Sequence, residues 1–81
     1  MNTTSIRSAW NDVPVPLETL WTLSKGSKTV ALVLYTHEFG WECRIDGAGI
    51  LLTQVCRSDR EIGNVAAAWR EALIEKGWRS A

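Results

Sequence analysis

The chain has 81 residues, 46% of them apolar, and its 9 basic side chains are balanced by 9 acidic ones. That length holds one domain at most. The apolar share excludes a wholly disordered chain, and the charge balance removes the Lys/Arg excess that marks a strong nucleic-acid binder.

Two cysteines, Cys43 and Cys56, are too few for a disulfide scaffold. The opening residues contain no apolar core of signal-peptide length. The longest apolar run, Val30 to Tyr35, is far too short to span a membrane. A reducing cytoplasm is the expected location. A domain this small buries only about 60–65% of its unfolded surface, so it needs help from a disulfide, a metal or a partner subunit. Five tryptophans supply large pieces of buriable surface.

In chain order, residues 1–16 read as an extended N-terminal arm and 17–81 as a single α+β domain. "VPVP" runs extended because each proline restricts its own φ and the residue before it. The arm still carries Ile6, Trp10, Val13 and Val15. "LETLWTLS", Leu17 to Ser24, is the first predicted strand, and "KGSK" turns through Gly26. "TVALVLYT", Thr29 to Thr36, is the second. After the loop "HEFG", the alternation in "WECRI", Trp41 to Ile45, predicts a third. Asp46-Gly47 is the strongest short hairpin signal, since a type I′ turn needs positive φ at both positions. "GILLTQVC", ending at Cys56, is the fourth.

The hydrophobic period then changes from 2 to 3.6. "SDRE" is a capping box in which Ser58 accepts from the amide of Glu61 and Glu61 reaches back to the amide of Ser58. Ile62, Val65, Ala66, Trp69, Ala72 and Leu73 form one apolar stripe over a helix from Asp59 to Lys76. Gly77 is the expected C′ residue, with Trp78 at C″ touching Leu73. The predicted fold is a four-stranded antiparallel meander with the C-terminal helix packed on one face.

The turns set the faces. Pairing Ser24 with Thr29, Thr36 with Trp41, and Ile45 with Ala48 puts Trp21, Leu23, Val30, Leu32, Leu34, Trp41, Cys43, Ile45, Ile50, Leu52 and Cys56 on one side. That side takes the helix. The same register separates Cys43 from Cys56 by about 20 Å, beyond disulfide reach. The other face carries Leu20, Ala31, Val33, Tyr35, Leu51 and Val55 beside Glu42, Arg44 and Asp46. Its apolar centre needs a cover, from the arm, a second subunit or a ligand.

No catalytic constellation is legible. His37 is the only histidine, and the two cysteines fall on the covered face, where a thiol behaves as a small hydrophobe. No metal-ligand spacing occurs, no glycine-rich loop opens a helix, and no cofactor or small-molecule substrate is indicated. In element order alone, a meander followed by one long helix resembles the Whirly and PUR-repeat kinds of single-strand binders. That resemblance implies an open sheet face for nucleic acid. Tyr35 would stack a base, and Arg44, Lys25 and Lys28 would reach phosphate. Any such binding is expected to be weak and salt-sensitive. Arg57 and Arg60 flank the helix N-terminus without a defined role.

The reading favoured by the sequence is a non-catalytic interaction module that homodimerises through the open sheet face. Leu20, Val33, Tyr35, Leu51 and Val55 would form the interface, with Trp10 from the arm.

Overall fold

A computed structural model describes residues 13–81; Ile6 and Trp10 lie outside them. Five strands and one helix follow in order: β1 (Pro16–Lys25), β2 (Lys28–His37), β3 (Gly40–Gly47), β4 (Ile50–Cys56), α1 (Asp59–Glu75) and β5 (Arg79–Ser80). The sheet is antiparallel in the order β4-β3-β2-β1-β5. The predicted meander-plus-helix architecture is therefore present. β5 was not anticipated: two polar residues carry no strand signal of their own, and they pair with Leu23 and Ser24 of β1.

Two of the three predicted turns hold their pairing. Ser24 lies opposite Thr29 and Thr36 opposite Trp41. Gly26, at φ 62°, takes the first position of the β1–β2 turn, where a type II′ hairpin needs it. The third turn is displaced. Gly47 pairs with Ile50 and Ile45 with Leu52, so the loop is Ala48-Gly49, not Asp46-Gly47. Both loop residues have positive φ, 52° and 81°. Left-handed backbone is costly for alanine. The offset is a longer ladder, continuous from Gly47–Ile50 to Trp41–Cys56. With Asp46-Gly47 at the turn, Gln54 to Cys56 would overhang the start of β3 at Gly40, leaving backbone groups without partners. The shift moves β4 by an even number of residues, so its faces are preserved.

The core follows that parity. Leu23, Val30, Leu32, Leu34, Cys43, Ile45 and Cys56 are buried with Leu73 and Trp78. Trp21, Trp41, Ile50, Ile62, Val65, Ala66 and Trp69 pack against them while half-buried. Trp69, on the apolar stripe of the helix, is thus a margin residue, because the helix only partly covers the β4 side. Trp21 joins the two layers: its Nε1–H donates to the Ala66 carbonyl of α1 at 2.9 Å.

Both helix ends are built locally. The Ser58 hydroxyl accepts from the Glu61 amide at 3.1 Å. The Glu61 carboxylate reaches one residue further back than predicted, accepting from the amide of Arg57 at 2.6 Å. At the other end Gly77 has φ 99°, its amide donates to Ile74, and the Trp78 amide donates to Leu73. These are the paired bonds of a Schellman cap. They turn the Trp78 ring into the core and deliver Arg79 to the edge of β1.

Candidate functional site

The sheet face away from α1 is the surface singled out by sequence. The observed register arranges it in rows: Tyr35, Glu42 and Val55 in one, and Val33, Arg44 and Thr53 in the next. Asp46 and Leu51 follow in a third. Val33, Tyr35, Leu51 and Val55 are therefore brought together on this face. Exposure rises toward β4: Val33 and Tyr35 are half-buried, whereas Val55 is 39% and Leu51 68% exposed.

Leu20 does not belong to this group. β1 carries two register shifts against β2, one between Pro16 and Glu18 and one between Thr19 and Trp21. A bulge adds an unpaired residue and breaks strict alternation. Leu20 consequently packs against the core beside Trp21. A bulge has no signature in a run such as "LETLW". Trp10, the predicted arm contact, lies outside the described residues.

The central charges satisfy one another. The Arg44 Nη2–H donates to Glu42 Oε1 at 2.7 Å, and the guanidinium lies 4.5 Å from the Tyr35 ring centroid. Its Nε is out of water and has no acceptor among the described residues. Arg44 thus lies over the Tyr35 ring and is paired with Glu42, and Tyr35 has an occupied ring face. Lys25 and Lys28 sit at the far β1–β2 turn. The Lys25 ammonium donates to the Lys76 carbonyl at the helix C-terminus, at 2.7 Å. The four residues named for nucleic acid therefore do not form one cationic track.

The two thiols are close neighbours. Cys43 and Cys56 are unbridged, fully buried, and 4.0 Å apart at sulfur. The expected separation of about 20 Å fails with the displaced turn, which sets Cys56 opposite Trp41, two residues from Cys43. Burial, foremost, and then the neighbouring Cys56 push the Cys43 thiol up to about 12. It is a protonated hydrophobe at neutral pH, not a nucleophile. His37 Nδ1 accepts from the Phe39 amide within the β2–β3 turn, and Arg57 lies 5.8 Å from the Phe39 ring. Among the described residues no three His, Cys, Asp or Glu side chains gather as a metal site. No helix there is long and apolar enough to cross a membrane.

The feature that sequence reasoning missed is the outer margin of β4. Leu52 belongs to the helix-facing side yet is 37% exposed. A cleft of about 320 Å³ opens beside it, lined by Ile50, Leu52, Trp69, Leu73 and Trp78, with Lys25 and Lys76. β4 thus shows apolar side chains on both faces. Periodicity assigns faces but does not reveal how far a helix reaches across them. Compared with family models, curated proteins and solved structures, the chain matches none.

Proposed function

We propose that this protein is a small non-catalytic interaction module that associates with a second copy of itself through the open sheet face. The observation carrying this reading is the apolar margin of that face: Leu51 and Val55, well exposed, adjoin the half-buried Val33 and Tyr35. Exposed apolar side chains that are contiguous rather than scattered mark contact surfaces. The Arg44–Glu42 pair leaves the centre of the face without net charge, which suits an identical, equally neutral surface. A domain of this size gains from the added burial.

The alternative, single-stranded nucleic acid on the same face, receives less support. Its aromatic platform is already covered by Arg44 and its phosphate contacts are dispersed. The test is the solution mass of the full chain by light scattering over a wide concentration range. A concentration-dependent dimer is expected. A protein that stays monomeric at high micromolar concentration refutes self-association. Tight binding to single-stranded DNA that survives physiological salt would favour the alternative.

A further inference from the structure

We infer that the second copy pairs edge to edge with the first through β4, antiparallel about a twofold axis at Thr53. This rests on the self-association reading and assigns the contact to the β4 rim of the open face, where Leu51 and Val55 lie, not to its centre at Val33 and Tyr35.

The two edges of the sheet are treated differently. The β1 edge is guarded: it opens with Pro16, carries Glu18 and two bulges, and its last residues are covered by β5. Proline, charge, bulges and a covering segment are the means by which natural sheets block edge pairing. Among the described residues β4 has none of them. "ILLTQVC" contains no proline and no charged residue, pairs with β3 without a register shift, and has no described strand on its other side.

The hairpin geometry fixes which backbone groups face outward. A two-residue loop with positive φ at both positions is closed by a hydrogen-bonded pair, here Gly47 and Ile50. Alternate residues follow the same pattern. The N–H and C=O groups of Ile50, Leu52, Gln54 and Cys56 therefore turn toward β3. Those of Leu51, Thr53 and Val55 point to the open edge.

These three residues are self-complementary. An antiparallel copy centred on Thr53 sets Thr53 opposite Thr53, and Leu51 opposite Val55, in both directions. That register makes about six hydrogen bonds, and every outward group of the three residues finds a partner. It also joins Leu51, the most exposed apolar side chain of the open face, to Val55 of the second copy, twice by symmetry. On the other face it brings the second chain against Leu52 and the cleft at Ile50. Of the β3 charges on the open face, Arg44 and Glu42 are paired with each other, and Asp46 lies across from Leu51. A neutral, palindromic edge fits a copy of itself better than a charged peptide.

The test has two parts on the full chain. Thr53→Pro removes an outward N–H, a place where an edge strand accepts proline. It is expected to keep the circular dichroism of the wild type and to raise the dimer Kd by at least about tenfold. Should that variant not fold, hydrogen exchange on the wild type decides independently. Protection of the Leu51, Thr53 and Val55 amides should rise with protein concentration, while Leu52 and Gln54 stay protected throughout. A dimer unaffected by Thr53→Pro, without concentration-dependent protection at those three amides, overturns edge pairing. If Val33→Glu breaks that dimer, self-association through the face still stands. A dimer lost only on deletion of residues 1–11 also overturns edge pairing. A wild type that never dimerises removes both proposals.

Discussion

The sulfur atoms of Cys43 and Cys56 lie 4.0 Å apart in the driest part of the sheet–helix interface, with neither side chain exposed. Their proximity follows from a turn at Ala48-Gly49 that sets Cys56 across from Trp41. Both should remain thiols that react with an aromatic disulfide reagent only after unfolding. In denaturant without reductant, two equivalents are expected per chain. Rapid modification of the native protein would show that the β3–β4 margin opens more readily than this packing permits.

Burial also makes stability depend on alkaline pH. The Cys43 pKa rises from an ordinary 9.0 to about 12 in the folded chain. Below pH 9 both states keep the proton, and the contribution of this group to stability is intact. As pH rises from 9 toward 12, the unfolded thiol ionises first, so stability falls. Cys43→Val should show a shallower decline in Tm across that window than the wild type. Equal slopes would mean that other groups account for the effect.

Gly40 is held at φ 140°, and a Cβ there would collide with the Cys56 carbonyl. Both the backbone and the space require glycine. Gly40→Ala is expected to cost about 3 kcal/mol or more, a large share of the stability of a small domain. A thermal scan of the variant is the check, and an unchanged Tm would refute the close approach of β3 to the end of β4.

Ala48 offers the opposite change. It occupies the left-handed region at φ 52°, next to Gly49 at 81°. Ala48→Asn creates the Asn-Gly pair favoured by this turn and should stabilise by about 1 kcal/mol. That corresponds to a Tm rise of about 4–8 °C. Asp46→Asn, outside the loop, should do little. The reverse result would restore the turn at Asp46-Gly47.

The Trp21 indole donates to the Ala66 carbonyl at 2.9 Å across the layer interface. Trp21→Phe keeps most of the apolar contact and removes the donor. A loss of about 1 kcal/mol is expected in denaturant unfolding, with the slope of the transition unchanged.

The sequence by itself determined what depends on residues a few positions apart. The Ser58 cap, the Gly77 Schellman end, the Gly26 turn and the inward parity of Val30, Leu32 and Leu34 are all of this kind. Each needs only a local hydrogen bond, a positive φ or a period. Parity survived even the misplaced third turn, because an even shift leaves every side chain on its face. Tertiary structure decided between Asp46-Gly47 and Ala48-Gly49, since both loops satisfy local rules and only the length of ladder formed with β3 distinguishes them. It also turned Leu20 inward through a bulge, drew Arg79 and Ser80 onto β1, and left β4 with no described strand at its outer edge. Those outcomes depend on how far one helix extends over four strands. That is settled by summed packing and backbone pairing between segments distant in the chain, which no short window of sequence contains.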